Sequence, residues 1–327
     1  MSGSGGGGDY RLGTADPVMI LEFAVTTWCN YRCAYCVTPV HAHRAAASHA
    51  FDRHPVASWI EAFARVPFEF SLLCRGGEPF LDHDGFPRFL AGVGALPRLR
   101  YTRVDTNGSW APERYDAVPA DVRAKVELNV SFHPTQIALE QFKVRLGRIL
   151  DRGWQVGMVN YVMEAKQAGD FEEVRDFFDR EHGIYVNPNP DAFDPAWTSL
   201  VPGVRREARR RLEPLLPPVD VLRKTGAPTA GKPCFFPAIA YFIAPDGMAE
   251  RACGVRAAGD VGERRLDFIR GSSGLRPLAS PVRCPLPSCL CLDRYAFLEE
   301  HEGRGRSIDL LAEYVRDCRA HRRAARP

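Results

Sequence analysis

An α/β fold is predicted for this 327-residue chain: a parallel sheet of six βα units with helices outside, followed by a small C-terminal cysteine-rich α+β extension. Three observations predict it. Apolar runs of strand length alternate with helix-period segments from residue 18 to residue 186. Short polar, glycine-containing motifs stand directly after several of those runs, where ligands bind in sheets of this kind. Cysteines gather in two places, one just after the first run and one beyond residue 230.

The first run, 18–25, is apolar almost throughout, as in a strand buried on both faces of a parallel sheet. A helix follows at 55–65, a strand at 68–74, a helix at 85–94 and a strand at 101–105. A short helix near Glu113 precedes a strand at 125–132 and a helix at 136–151, periodic through Ile137, Phe142, Leu146 and Leu150. A strand at 154–163, a helix at 171–181 and a short strand at 184–186 complete the alternation. Proline-rich stretches near Pro202 and Pro217-Pro218 bracket an arginine-rich helix and mark a boundary. The division is therefore a flexible Ser/Gly-rich tail at 1–12, native or an expression remnant, a barrel at 13–200, a linker helix region at 201–226 and the extension at 227–327.

Composition narrows the function. A 45% hydrophobic and 25% charged chain has material for a sizeable core, and no apolar run approaches the ~18 residues a membrane span needs. The net charge of +3 includes only five lysines, and the arginine runs read as solvated helix faces, so nucleic acid is not the expected partner. Ten cysteines without a secretory signal point to a reducing compartment, the cytoplasm, where clustered thiols serve metal binding or catalysis.

The decisive stretch is Cys29-Asn30-Tyr31-Arg32-Cys33-Ala34-Tyr35-Cys36. Three thiolates on one short loop, with no fourth ligand close by in sequence, suit an iron-sulfur cluster better than a structural zinc. A cluster with three protein ligands leaves one iron open to a small molecule. This spacing, with an aromatic residue before the last cysteine, resembles the radical S-adenosylmethionine (radical SAM) superfamily. The resemblance covers most of the chain and implies a partial (βα)6 TIM-like barrel in which Cys29, Cys33 and Cys36 hold a 4Fe-4S cluster that binds and reductively cleaves S-adenosylmethionine, with Tyr35 beside the adenine.

Two further motifs stand one βα unit apart. Arg75-Gly76-Gly77-Glu78-Pro79 combines glycines that permit close backbone approach with a carboxylate able to pair with an ammonium. By resemblance, Gly76, Gly77, Glu78 and Pro79 hold the amino group of the methionine moiety. Asp105-Thr106-Asn107-Gly108 has the composition of a turn, and Thr106 and Asn107 match a motif the superfamily often carries there. On the fourth strand, alternation places Asn129, Ser131 and His133 on one face, lining a polar lumen. By resemblance, Ser131 contacts S-adenosylmethionine, and Asn129 is grouped with it. His133, where peptide-modifying relatives often carry Asp, is a candidate to orient or deprotonate substrate, because imidazole titrates near neutrality, or is a hydrogen-bonded barrel histidine. His41 and His43 are read as facing solvent, and Cys74 as a buried small apolar residue.

In the extension, Cys234, Cys253, Cys284, Cys289 and Cys291 surround a strand, turn and strand at 239–252 with Asp246-Gly247 at the bend. Cysteine, hairpin, cysteine and a later cysteine group resemble SPASM and twitch extensions, which implies an auxiliary 4Fe-4S cluster. A single twitch-like cluster is favoured over two clusters or a structural zinc, with one thiol left over to return hydrogen to a carbon radical; Cys318 lies far along a helix.

The expected activity is generation of a 5′-deoxyadenosyl radical and hydrogen abstraction from a polar small molecule such as a sugar, aminocyclitol or other biosynthetic intermediate, ending in oxidation or epimerisation. An external electron donor such as flavodoxin or ferredoxin is implied. The barrel begins almost at the first residue, with no peptide-recognition domain before it, which favours the small molecule. A peptide-modifying enzyme and a non-catalytic iron-sulfur carrier are the alternatives.

Overall fold

The computed structural model describes residues 18–36, 48–82, 84–163, 171–191, 196, 202–216, 221, 228–254, 265–287, 289, 315–316 and 318–321. Six parallel strands pair in chain order: β1 Met19–Thr26, β2 Phe70–Gly76, β3 Leu99–Thr106, β4 Val126–Phe132, β5 Gln155–Met163 and β6 Tyr185–Pro190. Between them lie α1 Ala50–Arg53, α2 Val56–Ala64, α3 Gly85–Gly94, α4 Ala120–Arg123, α5 Leu139–Asp151 and α6 Phe171–Arg175. α6 runs on as a π-helical turn over Asp176–Glu181. α4 is an addition to the expected elements. β6 continues past its expected end through Asn187, Pro188, Asn189 and Pro190.

Each strand has one apolar and one polar face, and the helices choose the apolar one. Phe23 of β1 packs on Trp59 of α2, with ring centroids 4.6 Å apart, and on Phe89 of α3 at 5.4 Å. Phe132 of β4 meets Phe142 of α5 at 4.8 Å. On α5 the fully buried positions are Phe142, Leu146 and Ile149, so Ile149 rather than Leu150 closes the stripe. Cys74 is fully buried on this side of β2, as expected. The opposite face carries Glu22, Arg103, Asp105, Asn129 and Asn160, and the register sets Asp105 beside Asn129 and Asn160 beside Ser131.

After α7 (Pro202–Leu212) come β7 Pro233–Cys234, α8 Phe236–Ile239, β8 Ala240–Ile243, β9 Met248–Arg251, β10 Leu266–Asp267, α9 Phe268–Gly271 and β11 Val282–Arg283. β8 and β9 form the expected hairpin. Gly247 adopts φ +85° at its bend, where the Met248 N–H donates to Asp246 Oδ1 at 3.0 Å. β8 pairs in parallel with β1, so the hairpin and β10, which pairs with β9, enlarge the barrel sheet to nine strands in the order β10-β9-β8-β1-β2-β3-β4-β5-β6. Among the described residues this sheet is open between β10 and β6. Phe268 of α9 lies on Phe63 of α2, with centroids 4.8 Å apart, and extension and barrel share one apolar core. No described helix is long and apolar enough to cross a membrane.

Candidate active site

The cysteine loop follows β1 directly and lies over the carboxyl ends of β3 and β4, fastened at four points. The Asn107 amide Nδ2 donates to Asn30 Oδ1 at 3.0 Å, and Asn30 Nδ2 donates to Ser109 Oγ at 2.8 Å. Arg145 of α5 donates to the Tyr31 hydroxyl at 3.0 Å. The Arg32 backbone N–H donates to Gln136 Oε1 at 2.9 Å. The Tyr35 hydroxyl is 3.0 Å from Thr135 Oγ1 and 3.2 Å from His133 Nδ1. A loop without regular structure is thus held by side chains from two neighbouring βα units.

Cys33 is buried, while Cys29 and Cys36 are half-buried. Burial pushes the Cys33 thiol up to about 11, with a hydrogen bond to Tyr35 pulling the other way and Cys29 and Cys36 adding to the rise. Burial also raises Cys29, against the Tyr31 N–H that donates to its sulfur at 3.4 Å. Thiols so placed are reluctant to ionise alone, and a coordinated cation reverses that.

The two glycines of Arg75-Gly76-Gly77-Glu78-Pro79 serve contact between strand ends. A Cβ on Gly77 would stand 1.6 Å from the Trp28 carbonyl oxygen, and one on Gly76, which has φ +133°, 2.1 Å from that of Thr26. The Gly77 and Glu78 N–H groups donate to the same two carbonyls, at 2.7 and 2.6 Å. With these N–H groups used, the glycines retain carbonyl oxygens, the acceptors an ammonium requires. Glu78 is fully buried and turns to β3: Oε1 accepts from Thr106 Oγ1 at 2.7 Å and from the Phe80 N–H at 3.2 Å, and Oε2 from the Asn107 N–H at 2.6 Å. Burial pushes its carboxyl up to about 7 against those bonds. Pro79 is buried and opens a 3₁₀ turn whose Phe80 stacks on Trp110 at 4.1 Å.

Below the loop, amides link four strands. Asn129 Nδ2 donates to Asp105 Oδ1 at 2.9 Å, Asn160 Nδ2 to Asn129 Oδ1 at 2.6 Å and Asn187 Nδ2 to Asn160 Oδ1 at 2.6 Å. Arg103 pairs with Asp105 at 3.1 Å, and Arg75 pairs with buried Glu22. Ser131 is half-buried on the same face and in register with Asn160. Sequence reasoning found Asn129 and missed Asn160 and Asn187. The alternation Asn187-Pro188-Asn189-Pro190 was the available signal for a polar strand face.

His133 stands with this face but differs from a residue titrating near neutrality. Burial pushes its imidazole down to about 4, and its ring stacks on Tyr35, interplanar angle 15°. At neutral pH it is uncharged and within hydrogen-bond distance of the Tyr35 hydroxyl.

In the extension, β7 and β11 bring Cys234 opposite Val282, and the Cys284 N–H donates to the Lys232 carbonyl at 2.8 Å. Cys284 Sγ donates to Thr229 Oγ1 at 3.5 Å. Cys253 adopts the left-handed φ of 62° directly after β9. Cys289 and Cys318 are buried. Cys291, His41 and His43 lie outside the described residues. None of the nine described cysteines forms a disulfide.

Among the described residues no three Cys, His, Asp or Glu side chains converge tightly enough to hold a bare metal ion. A 4Fe-4S cluster spreads its thiolate ligands around a larger body. The donor set fits it: three sulfurs on one loop, two of them with thiols raised in part by the neighbouring cysteines, with N–H groups directed at Cys29.

No family model matches the chain. The chain is 32% identical over 134 residues to a GTP 3',8-cyclase of Stenotrophomonas maltophilia (strain K279a), covering 39% of this chain and 37% of that protein. It is 29% identical over 218 residues to the GTP 3',8-cyclase of Geobacter sulfurreducens, 60% of this chain and 64% of that protein. The chain therefore spans well under half the length of the first relative. The solved structure of native anSMEcpe with bound AdoMet and Kp18Cys peptide matches with a TM-score of 0.54 at 14% identity, covering 94% of this chain and 99% of that one. Local sequence kinship and whole-chain likeness of fold both point one way: the cyclase relatives and the AdoMet-bound neighbour support placing the chain with the radical S-adenosylmethionine superfamily.

Proposed function

We propose that this chain is a radical SAM enzyme that abstracts hydrogen from a polar small molecule such as a sugar, aminocyclitol or other biosynthetic intermediate, ending in oxidation or epimerisation. When bound, the cluster and S-adenosylmethionine supply a reductively generated 5′-deoxyadenosyl radical. Cys29, Cys33 and Cys36 are the cluster ligands. With S-adenosylmethionine bound, carbonyls of Gly76 and Gly77 would accept from its ammonium, with Glu78 and Pro79 fixing their loop, and Tyr35 would serve the adenine. Thr106, Asn107, Asn129 and Ser131 complete the cofactor's surroundings, and His133 holds the Tyr35 hydroxyl in place.

The observation that carries the substrate class is the amide chain from Asp105 through Asn129 and Asn160 to Asn187, a floor of oriented polar groups suited to hydroxyl or amino groups. A triphosphate suits it less, because Arg75 and Arg103 are each paired with a carboxylate. Cys234, Cys253, Cys284, Cys289 and Cys291 supply an auxiliary cluster in this reading, the electron acceptor for oxidation. An external donor such as flavodoxin or ferredoxin reduces the first cluster, and the cytoplasm is the compartment. A peptide substrate is the second reading, favoured by fold likeness to a peptide-bound structure.

The test is anaerobic incubation of reconstituted protein with S-adenosylmethionine and dithionite. 5′-Deoxyadenosine should form, and should vanish when Cys29, Cys33 and Cys36 are replaced by alanine. A mere electron carrier forms none. Deuterium transferred into 5′-deoxyadenosine from labelled aminocyclitols or sugars supports the small molecule, and transfer from labelled peptides alone overturns it.

A further inference from the structure

The side chain of Asn107 is directed at a cluster ligand. Its Nδ2 donates to Cys29 Sγ at 3.7 Å and to Asn30 Oδ1 at 3.0 Å. The surroundings decide which way the amide points. Its Oδ1 accepts from the Ser109 N–H at 2.9 Å, so the nitrogen must face the sulfur. The Asn107 backbone N–H is fixed by Glu78 Oε2, and Asn30 is held by Ser109, whose Oγ donates to Asn30 Oδ1 at 3.1 Å. A buried carboxyl and a corner of three polar side chains thus aim one amide at one sulfur.

An N–H donor at a ligand sulfur withdraws electron density and favours the reduced, more negative state of an iron-sulfur centre. We propose that Asn107 is a positioning residue that raises the reduction potential of the cluster held through Cys29, easing delivery of the electron on which turnover depends. This rests on Cys29, Cys33 and Cys36 being the cluster ligands. The Tyr31 N–H acts on the same sulfur from the backbone, where substitution leaves it in place.

The test is a mediated redox titration of the reconstituted full-length chain without S-adenosylmethionine. It follows the reduced-cluster electron paramagnetic resonance signal, with the Cys29, Cys33, Cys36 triple alanine variant as the blank for any second centre. Asn107→Leu should retain wild-type iron and titrate at a more negative potential. The reduced-to-oxidised ratio at a fixed potential should fall about tenfold, equivalent to about 59 mV for one electron. Asn107→Asp keeps the acceptor for Ser109 and replaces the donor with a charge, so it should shift further in the same direction and remains informative if the leucine variant loses iron. Asn30→Ala loosens the corner but leaves the donor and should titrate close to wild type. Iron-replete Asn107 variants at the wild-type potential, or an Asn30→Ala shift as large as that of Asn107→Leu, would overturn the proposal. A wild-type protein whose iron is indifferent to the triple alanine change refutes the cluster assignment instead.

Discussion

Glu78 shows how one residue serves both the chain and the ligand site. Its carboxyl sits at about 7 instead of the ordinary 4.5 because burial outweighs three hydrogen bonds. A raised carboxyl favours the folded state fully below pH 4.5, and that contribution is lost as pH rises through about 7, a swing of about 3 kcal/mol. Denaturant titrations across this range should show wild-type stability declining, and Glu78→Gln should flatten the slope. Below pH 4.5 the variant should be less stable than wild type by about 1–3 kcal/mol, because its NH₂ group faces a backbone or hydroxyl donor, and the gap should close as pH rises through about 7. His133 has the opposite sign: its pKa lies below 6.5, so its neutral form supports folding above that value and the contribution is lost as pH falls towards about 4. Its ring proton resonances should stay constant from about pH 8 to pH 5.5, and a midpoint near neutrality would contradict its place beside Tyr35. Gly77→Ala, with a Cβ 1.6 Å from the Trp28 carbonyl, should lower the melting temperature and the iron retained, whereas a wild-type melt would refute the close approach.

Between neighbouring elements, the amide chain across β3 to β6 is a single network. Replacing Asn160 with Leu removes the donor to Asn129 Oδ1 and the acceptor of Asn187 Nδ2 and should cost about 1–3 kcal/mol in chemical denaturation. Asn160→Asp keeps the acceptor for Asn187 and should cost less. The parts of this site legible in the sequence were those with local signatures: the cysteine spacing, the glycine pair after β2 and the alternation of Asn129, Ser131 and His133. Asn160 carries no such signature and Asn187 only the faint Asn-Pro alternation, and the two become neighbours only when β5 and β6 fall into register. The work of Glu78 was equally hidden, because its partners Thr106 and Asn107 lie a full βα unit away. Gly76 and Gly77 were legible as a close approach, but the approaching group is the backbone leaving β1.

Among the described residues the molecule is one open nine-stranded sheet, a small two-stranded sheet and one shared core. Strand order through β6 followed from alternating apolar runs, and the hairpin followed from Asp246-Gly247. That β8 would lie beside β1 was not legible, because β1 reads as an apolar run interrupted only by Glu22 before its closing Thr26 and shows no preference for a neighbour. A chain truncated after residue 227 exposes that edge of β1 and removes Phe268 from Phe63, and should aggregate instead of remaining a smaller folded barrel. The account turns on the cysteine loop as a cluster site. Iron and sulfide per chain, measured after anaerobic reconstitution in wild type and in the Cys29, Cys33, Cys36 triple alanine variant, test it most directly. The account predicts a loss of about four irons and four sulfides on removing the three thiols, with about four remaining on the C-terminal cysteines. Iron and sulfide unchanged by that substitution would contradict it.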